Sequence, residues 1–174
     1  MVTMGGFAVE RRGKPEPLWY LTKDGDATCL ELYRRHYSFK RSGHRRRLAQ
    51  FVGPGEHMVL RTAEGRAMFV WRNYIDHTIP PQTGIECSVF RNEAPERYLS
   101  SELIKQADKI ADHCWPHQRH YTKVDPAAVG SGVAGYCFIR AGWRRCGRTK
   151  GGLILLERKA RPASTAKPPA DDGA

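Results

Sequence analysis

With 174 residues the chain is long enough for one domain with its own hydrophobic core and too short for a second of ordinary size. Its 29 Lys and Arg against 18 Asp and Glu leave a formal charge of +11, so any polyanion is attracted before a specific contact forms. No apolar run approaches the length that spans a bilayer and no apolar leader is recognisable, so the chain is expected to act in the cytoplasm.

The first 16 residues carry Gly5, Gly6, Arg11, Arg12, Gly13 and Lys14 without periodicity and are expected to form a flexible basic arm. Leu18 to Leu21 reads as a short strand, ended by Lys23-Asp24-Gly25. Asp26 or Thr28 then caps a helix bearing Ala27, Leu30, Leu32, Tyr33 and Tyr37, which delivers His36 and Tyr37 to its C-terminal end. His57 to Arg61 and Arg66 to Trp71 flank Ala63-Glu64-Gly65 as a hairpin, and Ile85 to Arg91 forms a further strand after a Pro80-Pro81 loop.

Ser100 or Ser101 caps the strongest helix, with Leu103, Ile104, Ala107, Ile110, Ala111 and Cys114 on one stripe, and Trp115-Pro116 ends it. Tyr121 to Val124 is a strand and Gly135 to Ala141 a short helix. Trp143 to Thr149 and Leu153 to Arg158 close the body as a hairpin across Lys150-Gly151-Gly152. Residues 161–174, rich in Pro, Ala, Asp and Lys, are expected to be a disordered tail. The order describes one α/β or α+β domain over residues 17–160, a mixed sheet with helices on both faces.

The basic residues are grouped. Arg34, Arg35, Lys40, Arg41, Arg45, Arg46 and Arg47 make one cluster, and Arg140, Arg144, Arg145, Arg148 and Lys150 a second. On one face they would track a phosphate backbone; otherwise they are two solvated loops. Cys29, Cys87, Cys114, Cys137 and Cys146 form no C-x-x-C pair and sit mostly in or beside apolar runs, which reads as buried thiols in a reducing compartment. His113, Cys114, His117 and His120 are metal-ligating types, but no second pair completes a known spacing. Motifs of serine hydrolases, P-loop enzymes and zinc proteases are not found.

The stretch Tyr121-Thr122-Lys123-Val124-Asp125-Pro126, followed by Gly135-Tyr136-Cys137-Phe138-Ile139-Arg140-Ala141-Gly142-Trp143, resembles the strand and helix near the C-terminal end of GNAT acyltransferases. The element order extends that resemblance along most of the chain. It implies fourth and fifth strands that splay apart to admit the pantetheine arm of acyl-CoA, with the pyrophosphate on the following helix start. Phe90, Arg91, Asn92, Ser100 and Ser101 would then be the cofactor contacts. The family's glycine-rich loop is missing from Asn92 to Leu99, and Phe138 stands where a tyrosine would donate a proton, with Tyr136 the nearest substitute.

These departures, the basic surface and the His36-Tyr37 pair are similar to the Mom group of phage proteins, a GNAT branch that adds a carbamoylmethyl group to the exocyclic amine of adenine and shields DNA from restriction. The resemblance implies a DNA-modifying transferase on double-stranded DNA, with RNA as a further possible partner and acyl-CoA, acetyl-CoA or iron as possible cofactors. The alternatives are a CoA-dependent N-acetyltransferase of a small-molecule or protein amine, and a non-catalytic DNA-binding or anti-restriction module.

The candidate chemistry rests on His36 and Tyr37 as base and acid, or His36 as an iron ligand, on Tyr136, and on Glu93 as a base whose pKa rises if the site closes over it. Surface histidine, anchoring tyrosine and loop glutamate are the plain alternatives. Arg41, Arg45, Arg46, Arg47, Arg72, Tyr74, Arg144, Arg145 and Lys150 are the expected DNA contacts. A base leaving the stack would need a stacking partner, for which Trp71, Tyr74, Tyr98 and Trp143 are candidates, Tyr74 being the one expected to be exposed.

Overall fold

The computed structural model describes residues 17–41, 49–129 and 132–161. The N-terminal arm, the segment with Arg45, Arg46 and Arg47, the side chain of Arg41, and the tail lie outside the described residues. The elements run β1 (Tyr20–Thr22), α1 (Ala27–Arg35), α2 (Tyr37–Arg41), β2 (Glu56–Arg61), β3 (Ala67–Asn73), β4 (Ile85–Asn92), α3 (Ser100–Cys114), β5 (His120–Val124), α4 (Tyr136–Arg140), β6 (Arg144–Arg148) and β7 (Ile154–Arg158). The strands form one open sheet of seven in the order β1-β2-β3-β4-β5-β7-β6, antiparallel everywhere except β4 with β5.

Strand β3 is buried from Ala67 to Trp71 because both its faces are covered. Side chains alternate across a strand, so Phe69 and Trp71 join the core under α3 and α4, while Met68 and Val70 join Val89 and α1's Cys29, Leu32 and Tyr33 on the other face. Two buried indoles tie the sheet to α3: Trp19 Nε1 donates to the Leu103 carbonyl at 2.9 Å and Trp71 Nε1 to that of Ala107 at 3.1 Å. Helix α3 starts at Ser100, as expected, but its cap is Leu99, which has no side-chain hydrogen bond; Ser100 Oγ instead accepts from Asn92 Nδ2 at 3.1 Å.

The first helix departs from the expected single run through Tyr37. Asp26 caps α1 by accepting from the Cys29 amide at 2.9 Å, but the helix stops at Arg35, His36 is extended (φ −77°, ψ 144°), and α2 begins at Tyr37. The break has a local cause: the His36 imidazole accepts from the Ser38 amide at 3.2 Å, doing for α2 what Asp26 does for α1.

Two features of the sheet position the site. The β4–β5 ladder pairs Ile85 with His120, Glu86 with Tyr121 and Cys87 with Thr122, and then ends. At the same place Val70 pairs with Val89 but Trp71 with Cys87, so Ser88 is an extra residue, a bulge in β4 against β3. The segment from Tyr74 to Gly84, between β3 and β4, reaches over β5 as far as the β6–β7 turn, where the Lys150 amide donates to the Ile79 carbonyl at 2.7 Å. Gly84 returns the chain to β4 at φ +109°, and a Cβ there would lie 2.1 Å from the Arg119 carbonyl oxygen, so only glycine allows that approach.

Candidate functional site

The His36-Tyr37 pair lies between β4 and β5, beyond the end of their ladder. The rings pack at 4.3 Å between centroids, the Tyr37 hydroxyl donates to the Lys123 carbonyl on β5 at 3.3 Å, and His36 has a backbone hydrogen bond at Phe90 on β4. The pair therefore links the two strands from the α1 face. His36 is 6% exposed, and burial first, then the Arg91 charge, lower its pKa to about 4, the Phe90 bond opposing them. Because the Ser38 amide can only donate, Nδ1 is the acceptor and the imidazole proton sits on Nε2. A metal on His36 would have to displace one of these partners.

Behind the pair, Glu93 receives Arg35 through Nε and Nη2 at 2.8 and 2.9 Å and Arg91 Nε at 2.5 Å, while Arg91 Nη1 donates to the Arg35 carbonyl at 2.9 Å. The expected rise in the Glu93 pKa is reversed. The Arg35 hydrogen bond first, then Arg91, outweigh burial and hold it at about 2, so the carboxylate is a brace between α1 and β4 and a weak proton acceptor.

The expected cofactor contacts are brought together only in part. Asn92 Nδ2 binds the Tyr98 carbonyl and Ser100 Oγ, its Oδ1 takes the Ala94 amide, and Arg91 is spent on Glu93. Phe90 packs edge-on against Phe138 at 5.9 Å, and Ser101 lies beyond the cap. With Glu93 and the Arg66-paired Glu96 where a pyrophosphate would lie, these residues do not fit that group.

A cluster that the sequence reading missed sits on the same face of the sheet. Ile85, Cys87, Thr122 and Val124 turn toward α3 and α4 or flank residues that do, so Glu86, Tyr121 and Lys123 turn toward α1. Lys123 Nζ lies 2.9 Å from Asp76 Oδ2, 3.1 Å from Glu86 Oε1 and 3.3 Å from the Tyr74 hydroxyl, and the Tyr121 hydroxyl donates to Asp76 Oδ2 at 3.4 Å. Burial first, then Glu86, raise the pKa of both phenols, so they stay protonated. Burial also pushes the Asp76 carboxyl up, but the Thr78 amide, Lys123 and the Thr78 hydroxyl together bring it below the usual range.

The cluster thus holds two phenols, two carboxylates and one ammonium largely shielded from water, a grouping found both at sites of chemistry and in structural ion-pair networks. Its members are scattered over β4, β5 and the preceding loop. For Glu86 and Lys123 the sequence signal was polarity inside a strand, and Tyr74 and Asp76 were legible only as part of a polar loop.

Tyr74 corrects another expectation. It is half-buried, its hydroxyl faces the cluster, and the Arg72 guanidinium lies 3.7 Å above its ring. Arg72 itself donates to the Pro54 carbonyl at 2.9 Å. Arg144 is paired with Glu157, Arg145 Nη2 donates to the Ala134 carbonyl at 3.1 Å, and both stand exposed with Arg148 on β6, an edge strand. Lys150 is exposed in the adjoining turn, and Tyr136 is 58% exposed at the start of α4, across the sheet from the cluster.

Cys29 and Cys87 are buried as expected, Cys114 and Cys137 partly so, whereas Cys146 is exposed because β6 has no neighbour beyond it. Among the described residues no group of three or more His, Cys, Asp or Glu could hold a metal ion, and no helix is long and apolar enough to cross a membrane. No protein-family model, curated protein or solved structure matches the chain.

Proposed function

We propose that the chain is a GNAT-type transferase of the Mom-like kind, adding a small acyl-derived, carbamoylmethyl-like group to the exocyclic amine of adenine in DNA and so shielding it from restriction. The observation that supports this best is that the β4–β5 ladder ends after Cys87 and Thr122, next to the Ser88 bulge, beside the cluster of Lys123, Asp76, Glu86, Tyr74 and Tyr121. The charge of +11 supplies the attraction to a polyanionic substrate.

In such a transfer the amine nitrogen forms a bond to the incoming carbon, the bond from that carbon to its leaving group breaks, and the amine gives up one proton. The Glu86 carboxylate is the acceptor for it, and the phenols of Tyr74 and Tyr121 are donors for the leaving group, while Asp76, whose pKa is lowered and whose oxygens are taken by Thr78, Gln82, Lys123 and Tyr121, holds the cluster in place. Lys123 keeps the two carboxylates together. His36 and Tyr37 act as positioning residues that set the spacing of β4 and β5, and Tyr136 remains an exposed phenol on α4.

A second reading, a non-catalytic DNA-binding module, is favoured by one observation: His36 and Tyr37 already engage backbone at Phe90 and Lys123, where a donor would pair. A CoA-dependent acetyltransferase suits the Asn92 to Ser100 segment least. Digesting DNA from cells that express the protein to nucleosides, followed by mass analysis, separates them. A modified adenosine supports the first reading, and unmodified DNA that still binds the protein supports the second.

A further inference from the structure

If adenine is modified in duplex DNA, its base must leave the stack, and something must hold the gap. The aromatic side chains that suggested themselves from the sequence are committed elsewhere. Trp71 and Trp143 are buried, Tyr98 donates to Glu64 at 3.1 Å with Arg97 over its ring, and Tyr74 is covered by Arg72. Tyr136 is exposed, but on the opposite face of the sheet from the cluster.

The segment that overlies the cluster instead presents two isoleucines. Ile75 is 78% and Ile79 61% exposed, on either side of Asp76, the residue that anchors the segment to Lys123 and Tyr121. The segment is held in shape: Asp76 accepts from the Thr78 amide at 3.0 Å, the Thr78 hydroxyl at 2.9 Å and the Gln82 amide at 3.2 Å, and Ile79 is fastened to Lys150. Between Ile79 and the β6–β7 turn lies an open depression of about 430 Å³ lined by Thr78, Ile79, Thr149, Lys150, Gly151 and Leu153. Apolar side chains on a braced loop, with Lys150 beside them and the arginines of β6 on the adjoining strand, match a surface that meets phosphates at its rim and bases at its centre.

We propose that Ile75 and Ile79 form a wedge that enters the base stack of duplex DNA and opens the target step above the Asp76 cluster. The inference rests on the DNA-directed reading above. Its chemistry is that of architectural proteins, in which Ile, Leu or Phe inserted between base pairs unstacks them at a cost of a few kcal/mol and is repaid by wider contact.

The test is the full chain mixed with a duplex carrying a single 2-aminopurine, whose emission rises when it unstacks. Wild-type protein should raise the emission on binding. The I75A/I79A variant, in which only exposed side chains are shortened, should keep its melting temperature, lose most of that rise and bind the duplex about tenfold more weakly with an unchanged salt slope. I75M/I79M should restore it. Binding by wild-type protein without any rise, or an equal rise with I75A/I79A, overturns the wedge and leaves DNA binding intact. No binding to any duplex overturns both readings, and self-association that only the wild-type chain shows makes the patch a contact between copies and also overturns the wedge.

Discussion

Burial and a neighbouring guanidinium decide the state of His36. Its imidazole is neutral until about pH 4 in the folded chain, whereas an unfolded histidine takes up a proton near 6.5. The unfolded state therefore binds more protons between those values, so the stability that depends on a neutral His36 is whole above about pH 6.5 and is lost as pH falls toward 4. The loss is on the order of 3 kcal/mol. Urea unfolding of wild-type and H36Q chains at pH 7 and pH 4.5 should show a much steeper decline for wild type, and parallel declines would remove this account of the residue.

Glu93 carries the opposite expectation. Two arginines hold it ionised, so Glu93→Gln should lower stability by about 1–2 kcal/mol in thermal or urea unfolding and leave DNA modification within severalfold of wild type. A loss of modification by a hundredfold or more would mark it as a base after all. From the sequence His36 was recognisable as a polar group closing the first helix beside the basic cluster, and Glu93 as one directly after the fourth strand. Their partners were not, because Ser38 acts only once the helix has broken and Arg35 lies 58 residues from Glu93.

Among the elements, the Tyr74 to Gly84 segment and β5 depend on each other through Lys123. Its side chain is 9% exposed and stands between Asp76 at 1% and Glu86 at 8%. Replacing it by methionine leaves two carboxylates facing each other without a cation, at a cost of about 3–5 kcal/mol, much of which a further Glu86→Gln should recover. Urea unfolding of the single and double variants checks this, and a K123M chain as stable as wild type would show that the cluster is open to water.

Periodicity was sufficient to find many of these elements, since β2, β3, β4, α3 and β7 follow the apolar pattern, whereas β6 is exposed throughout and was found from the glycine turn beside it. It could not show the break at His36, where apolar spacing continues through Tyr37 while the backbone leaves the helix. Nor could it show the course of the β3–β4 segment, which is set by one aspartate, Asp76, bonded to the amide and hydroxyl of Thr78 and to Tyr74, Gln82, Lys123 and Tyr121.

At the scale of the whole molecule, the sheet order, the short parallel ladder and the placement of helices on both faces suit the proposed transferase, and the excess charge suits a nucleic acid. Neither feature identifies chemistry, because a fold hosts many functions. The cluster was illegible in the sequence because Asp76, Glu86 and Lys123 converge only when β4 and β5 run side by side and the β3–β4 loop folds over them.

The most direct measurement compares nucleosides from the DNA of cells expressing the wild-type chain with those from cells expressing Y121F, which removes one hydroxyl from Asp76 and little volume. The proposed function predicts a heavier adenosine with the wild-type chain and at least about a tenfold decrease with Y121F. Unmodified adenosine in both, with the protein folded and bound to the DNA, would contradict it.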